Sequence, residues 1–445
     1  MTATVPHEQI ILQLGDLHFC EFQAATTDVD THDSSTPGQL DATLGYPIPR
    51  EVHRAIVDQL NASPGAIVAV CGDITSRGDR DGFVGGVRYL AEVLGDSRLV
   101  EKIGPDRLHV VPGNHDVNFK GDQPFVSFED LDRFEVLAQI CVHEGLGDVF
   151  TRSHRETTVA LPDGGGVSVV SVNTCRGVGA TRRDLPAGAK DLVLEAALNE
   201  LDGLDLDAAI ERHSPGVALE EVLDVPLLHP DELQGIAACW GHLNGTVVPV
   251  LLAHHGLLPQ HTPRLNPYTE MANAGQARRQ LTKLGRSVLY LHGHIHQHVV
   301  EIVDFPKAND ILPLHDRAVI IAAPELRSGF NKIAIKFDAQ GRPLGIRVEK
   351  YRISQGEQTI SLEPDLIEVS LARRPSLTAA QRNLLAFVVQ NSAATGGELV
   401  AEGSRFSPPM PADEVESLVE TLCWTGVLRR NTVPGTSFAD AGYLI

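Results

Sequence analysis

SVLYLHGHIHQH, residues 287–298, joins a short apolar run to a histidine at every second position: His292, His294, His296 and His298. In an extended segment, side chains at i and i+2 share a face, so the row is expected to crowd imidazoles on one side. A buried imidazole needs a hydrogen-bond partner, and an apolar core has no use for several together. Imidazole is the commonest metal ligand among side chains. The row therefore reads as the metal-binding end of a strand.

The same build recurs along the chain. IILQL (10–14) runs into Asp16-Leu17-His18, and AIVAV (66–70) into Cys71-Gly72-Asp73. LHVV (108–111) leads to Asn114-His115, VVPVLLA (247–253) to His254-His255, and SVLYL (287–291) to His294-Ile295-His296. Short Val- and Ile-rich runs closed by turn residues read as buried strands. If all five lie in one sheet, their donors converge at its carboxyl edge, where α/β folds place their sites. Carboxylates, an amide and several imidazoles suit Mn, Fe, Zn or Co better than Ca or Mg. The donors are too many for one ion, and two ions sharing a bridging carboxylate is the economical arrangement.

Taken in order, GDLHF (15–19), GDITSRGD (72–79), GNHD (113–116), LLAHHG (251–256) and GHIH (293–296) resemble the motif series of the calcineurin-like metallophosphoesterase superfamily. The resemblance implies an α/β fold with a two-layered β-sandwich flanked by helices. It implies that Asp16, His18 and His296 hold one divalent ion, that Asn114, His254 and His294 hold a second, and that Asp73 bridges them. His115 would stand over the leaving oxygen as a general acid or transition-state stabiliser. Asp116, directly after it, is grouped with it as catalytic and as the carboxylate supporting a site histidine. Asn114, His115 and His255 are the candidate substrate contacts, with His255 pointing away from the ions. The family's second block often reads G-D-x-x-D; here Ser76 replaces the second acid, and Asp79 and Asp81 are candidate substitutes. The chemistry implied is hydrolysis of a phosphodiester, such as a cyclic nucleotide or another small diester, by hydroxide activated between two ions about 3.5–4 Å apart. A nuclease of the repair branch is the alternative, as is a partner-gated or non-catalytic nucleotide-binding protein.

The rest of the chain sets boundaries. Helical patterns fall at 50–60, 134–144, 189–201 and 274–284, and RAVIIAA (317–323), NKIAIKF (331–337) and GIRVEKYRI (345–353) read as consecutive strands. The domains expected are 1–355 for the phosphoesterase unit, 356–377 for a linker and 378–445 for a small α+β, winged-helix-like unit. In that unit Thr378–Gln381 forms a capping box, and 426–430 pairs with 442–445. A charge of −21 over 445 residues disfavours a non-specific nucleic-acid coat, although bound metals leave a nucleic-acid substrate open. The C-terminal helix is acidic, which points to protein contact or self-association rather than groove binding. Six scattered cysteines without a C-x-x-C pair fit a reducing cytoplasm. No apolar run approaches the ~20 residues that span a bilayer. Residues 20–46 and 212–232 match no motif; the first is a candidate substrate-facing loop, the second an insertion. Arg278 and Arg279 are candidate phosphate contacts.

Overall fold

The computed structural model of the chain describes residues 7–19, 48–76, 78, 80–96, 105–117, 124–162, 164–181, 222–258, 271–305, 316–354, 361–371, 377–431 and 436–444. In chain order the elements begin with β1 (Glu8–Leu14), α1 (Arg50–Ala62), β2 (Ile67–Val70), α2 (Arg80–Asp96), β3 (Leu108–Val110) and α3 (Asp132–His143). There follow β4 (His154–Ala160), β5 (Gly166–Val172), β6 (Gly177–Thr181), β7 (Val222–Val225), α4 (Pro230–Trp240), β8 (Val247–Leu252), α5 (Ala274–Lys283) and β9 (Val288–His292). Next come β10 (Val300–Phe305), β11 (Asp316–Ala322), β12 (Gly329–Phe337), β13 (Pro343–Ser354) and β14 (Ser361–Ser370). The C-terminal unit contains α6 (Ala379–Asn391), β15 (Ala394–Thr395), α7 (Gly396–Gly403), α8 (Ala412–Trp424), β16 (Arg429–Asn431) and β17 (Gly442–Leu444).

Two six-stranded mixed sheets form the body, in the orders β14-β13-β12-β1-β2-β3 and β10-β11-β9-β8-β5-β4. The expectation of one sheet carrying all five donor-bearing strands is corrected: β1, β2 and β3 are parallel neighbours in the first sheet, and β8 and β9 in the second. The donors still converge, because the carboxyl ends of both parallel sets meet at one edge. The strands read as nearly continuous apolar runs because both faces are covered. Ile11, Ile67, Ala69, Val169, Val250 and Leu289 meet between the sheets. Leu12, Leu14, Val68 and Val70 turn outward against α1, α2 and α3, and Val170, Leu251 and Tyr290 pack under α4 and α5.

Two strands read as consecutive separate into different sheets: β11 lies beside β9, and β12 beside β1. The expected linker also contains a strand. Residues 361–370 pair antiparallel with β13 as the edge of the first sheet, and Val369 joins the core between the sheets. Pro364 disguises this strand in the sequence, since proline is tolerated at a sheet edge. The sequence reading also lacks α2, where Gly82, Gly85 and Gly86 lower helix propensity. Packing supplies the compensation: Phe83, Val87 and Leu90 are buried, and a Cβ on Gly86 would stand 2.3 Å from Ile74 Cγ2. The helix expected at 189–201, the segment 20–46 and Asp79 lie outside the described residues.

In the C-terminal unit the capping box at Thr378 and Gln381 is present, and β16 pairs with β17 as expected, with β15 added on the other side. The unit is docked, not tethered. Trp424 is buried, with the Arg347 guanidinium 4.3 Å from its ring centroid. Arg347 also reaches Glu368 on β14 at 2.9 Å and Glu420 on α8 at 3.6 Å. Among the described residues no helix is long and apolar enough to cross a membrane.

Candidate metal centre

The loops that follow β1, β2, β3, β8 and β9 are stitched together by their backbones. Asp16 N–H donates to Gly72 O at 3.2 Å, His18 N–H to Asp73 O at 2.9 Å, and Gly293 N–H to His254 O at 3.0 Å. A side chain then joins the two sheets: Asp16 Oδ1 accepts from His294 N–H at 3.0 Å. Asp16, His18, Asp73, His294 and His296 all have φ between 50° and 67°, and among the described non-glycine residues Ser392 alone shares that region. Such conformations cost on the order of 1–3 kcal/mol each and persist where the surroundings impose them. Backbone strain is thus concentrated at the residues carrying the donors.

The donors form two buried groups. Asp16, His18, Asp73 and His296 bring ligand atoms within 4.8 Å of one another, and so do His254, His255 and His294. Asp73 stands between them, its Oδ2 3.3 Å from His254 Nε2, and Asn114 Oδ1 lies 2.9 Å from the same nitrogen. In the first group the Nε2 atoms of His18 and His296 are 3.1 Å apart. Asp16 Oδ2, Asp73 Oδ2 and His294 Nδ1 are buried and make no hydrogen bond among the described residues. No lysine or arginine among the described residues pairs with either carboxylate. Buried charge of this kind is paired or coordinates metal, and a mixed carboxylate, amide and imidazole set fits two divalent ions.

The electrostatics agree with the geometry. Burial pushes Asp73 up, but the imidazoles of His254, His115 and His18 outweigh it and hold the carboxyl well below its usual range. Asp16 goes the other way, raised by burial and by the nearby Asp73, with His254 opposing. Burial lowers His254, yet Asp73 and Asp16 carry it up to about 9. The protein alone thus keeps protons on part of this cluster, and divalent ions would displace them.

His115 and Asp116 separate in role. The His115 N–H donates to Asp73 Oδ1 at 2.9 Å, and its ring Nδ1 meets the Ser76 carbonyl at 3.0 Å. Asp116 does not support the histidine, contrary to expectation. Its carboxylate accepts from Thr75 N–H and Gly113 N–H, both at 2.8 Å, tying the loop after β2 to the loop after β3. Ser76, standing where the family often has an acid, holds His115 by its main-chain carbonyl, and its hydroxyl donates to His18 O at 2.8 Å. Asp81 lies exposed on α2, so neither a substitute acid nor Asp116 is required for that task.

The histidine row is not one extended strand, because β9 stops at His292 and positive φ at His294 and His296 turns the chain. His294 and His296 thereby reach different donor groups. His292 is buried against the Gly293 carbonyl at 2.9 Å. His298 Nδ1 meets Asn331 Oδ1 at 2.9 Å, and Asn331 in turn donates to Gln13 inside the sandwich. His255 does not point away: its ring centroid is 4.7 Å from those of both His254 and His294. Arg278 and Arg279 sit on the exposed face of α5. Sequence reasoning missed Thr174 and Asp224, which meet His255 from outside the motifs; no spacing signal marks either.

Paired buried donor groups at the joined strand ends of a two-sheet α/β sandwich are the build of a metallophosphoesterase. Residues 10–298 match the calcineurin-like phosphoesterase family, and the chain belongs to it. No curated protein matches the chain. Among solved structures it is similar to the phosphopantetheinyl hydrolase PptH of Mycobacterium tuberculosis, at 17% identity over 72% of this chain and 91% of that one, with a TM-score of 0.38. It is also similar to PhoD, at 9% identity over 85% and 73% of the two chains with a TM-score of 0.45. A 5'-nucleotidase precursor from Thermus thermophilus aligns at 14% identity over 86% of this chain and 59% of that one, with a TM-score of 0.34.

Proposed function

We propose that the chain hydrolyses a small phosphodiester, a cyclic nucleotide or a comparable nucleotide diester, at this centre. The observation that carries the reading is the position of Asp73, whose buried carboxylate is grouped with Asp16, His18 and His296 and lies 3.3 Å from His254 of the group His254, His255 and His294, with Asn114 beside it. Asp16, His18 and His296 would hold one ion, Asn114, His254 and His294 another, and Asp73 both. Divalent ions bound there, with Mn, Fe, Zn or Co matching the donors, would supply an activated water and positive charge against the phosphoryl oxygens.

The remaining chemistry belongs to the chain. His115 donates from Nδ1 to the Ser76 carbonyl, which fixes its ring orientation and leaves Nε2 as the proton-transfer atom for the departing oxygen. Its backbone N–H, anchored on Asp73 Oδ1, ties its position to the carboxylate. Asp116 keeps the two loops in register. The net charge of −21 supports a small substrate over nucleic acid. The scattered cysteines, five of them free among the described residues, support a cytoplasmic location. The helix–strand–helix–helix–strand–strand order of the C-terminal unit supports a winged-helix-like reading. With α8 packed on β13 and β14, protein contact or self-association fits this unit better than groove binding.

A manganese-supplemented panel tests the reading, setting cyclic nucleotides and an aryl phosphodiester beside single- and double-stranded DNA, with Asp73→Asn as the blank. Turnover of small diesters, lost in the variant, is expected. Cleavage of DNA with no turnover of small diesters would overturn the substrate class, and silence on all of them with metal bound would overturn the enzyme.

A further inference from the structure

The edges of both sheets meet the C-terminal unit at a cavity of about 480 Å³. Its walls are β10 and β11 of the second sheet, β14 of the first, and the stretch from the end of α8 into β16. That volume falls within the ~300–1,000 Å³ of small-molecule sites. The cavity opens to solvent, because Ile302, Gly426 and Arg429 on its lining are exposed. It stands apart from the metal centre. Arg317 lies five residues before Ala322, which is in register with His292 at the end of β9. At about 3.3 Å per residue that is a separation of roughly 17 Å, and the donors follow His292. On the first sheet Glu368 is in register, through Arg347 and Ala334, with Ile10 near the start of β1, whereas Asp16 follows its end.

Three arginines line the cavity, Arg317 from the sandwich and Arg429 and Arg430 from β16. The acids beside them are engaged elsewhere or only in part satisfy them. Glu368 accepts from Arg347 Nη2 at 2.9 Å, and Asp304 meets Arg317 through Nε at 3.3 Å. Among the described residues neither Arg429 nor Arg430 pairs with a carboxylate. The Arg430 guanidinium lies instead 5.9 Å from the Tyr443 ring centroid, so an aromatic face rather than an acid positions its charge. In a chain of net charge −21, two arginines left without acids at a cavity make an anion receptor. Two cations favour a dianionic head group over a monocarboxylate. Ile302 and Leu366 add an apolar wall, which suits a ligand with a hydrocarbon or ring portion.

We propose that this cleft binds a small phosphomonoester with an apolar portion, its phosphate held from β16 by Arg429 and Arg430 and from the sandwich by Arg317, at a site separate from the metal centre. The cleft does not depend on the hydrolase reading, since no donor of the metal centre lines it. Its lining comes from both units, so neither builds the site alone. None of the five motif blocks contributes to it. An occupied cleft would join the C-terminal unit to the edges of both sheets.

The test is calorimetric titration of the manganese-loaded full chain with hexylphosphonate, a phosphomonoester mimic whose C–P bond resists hydrolysis. Wild type is expected to bind one equivalent more than the Arg429→Gln/Arg430→Gln double variant, or to bind that equivalent on the order of tenfold more tightly. Arg317→Gln, on the sandwich wall, should weaken the same event, which keeps the test open if the double variant does not fold. Arg382→Gln, exposed on α6, removes a charge away from the cleft and should change nothing. Inorganic phosphate and hexanol should each bind at least about tenfold more weakly than the phosphonate. On saturation, protection from hydrogen exchange should fall on β16 and residues 423–428. Identical binding by wild type and the arginine variants of the cleft would overturn the site, as would an equal loss in Arg382→Gln, which marks diffuse charge attraction. Hexanol or inorganic phosphate binding as tightly as the phosphonate would overturn the organic-anion ligand. Protection confined to the loops after β1, β2, β3, β8 and β9, or manganese lost from the arginine variants, would place the probe at the metal centre and overturn a separate site.

Discussion

Gly113→Ala isolates the site's dependence on backbone closeness, because it adds one methyl and removes no donor. A Cβ at Gly113 would stand 2.0 Å from Asp73 Oδ1 and 2.2 Å from Asp73 N. The second contact is with backbone, so no rotamer change relieves it. Reaching the 3.0 Å below which real Cβ contacts scarcely occur requires the loops after β2 and β3 to part by about an ångström. Those loops share the Asp116 carboxylate and the His115–Asp73 hydrogen bond, so separation displaces Asp73, Asn114 and His115 together. Misplacement on that scale costs about 100-fold in rate, and the overpacking about 1–3 kcal/mol in stability. The control is Gly275→Ala on α5, where an added Cβ meets nothing within 4 Å; a gain of about 0.5–1 kcal/mol is expected. The assay is kcat/KM on an aryl phosphodiester at saturating manganese, with metal content by mass spectrometry and stability by urea denaturation. Activity within threefold of wild type at equal metal content would refute the claim that loop closeness positions the centre.

Other expectations test separate parts of the molecule. Manganese at about 100 times its dissociation constant should stabilise the protein by about 2.7 kcal/mol, and Asp73→Asn should largely abolish that gain in a thermal-shift titration. His115→Asn should lower kcat about 100- to 10,000-fold with metal content unchanged; loss of metal instead would make His115 a ligand. Burial pushes His109 down to about 3, between Ser171 Oγ and Thr157 Oγ1. Its folded value lies below its unfolded one, so it contributes stability above about pH 6.5 that is lost as pH falls toward 3, by at most about 1.4 kcal/mol per pH unit. His109→Gln should flatten that slope in urea melts. Gly345→Ala would place a Cβ 2.0 Å from Trp424 O, so hydrogen exchange across α8 should accelerate; unchanged exchange would mean that the close contact does not hold the unit in place.

The sequence made the donors legible because each follows an apolar run closed by a turn, and that local pattern survives any arrangement of the strands. It did not make the arrangement legible. Nothing in IILQL or SVLYL tells which sheet each joins, since both are buried on two faces and lack the alternation that marks a solvated side. The linker was misread for a similar reason: Pro364 argues locally against a strand, and only the neighbouring β13 makes residues 361–370 an edge.

The histidine row shows the same limit at finer scale. Spacing by two singled out two histidines that stand in the donor groups, but through the wrong conformation, because side chains that share a strand face would have gone to one donor group. The chain instead turns through positive φ at His294 and His296 and sends them to different ones. Asp16, His18 and Asp73 adopt the same region, so the strain is common to donor positions on both sheets. Asp and His enter this region more readily than most non-glycine residues, yet still at a cost that glycine avoids. Five such residues within one cluster are retained against a cost that packing alone gives no reason to bear. That is the physical argument for a centre whose binding, rather than whose folding, selected the side chains.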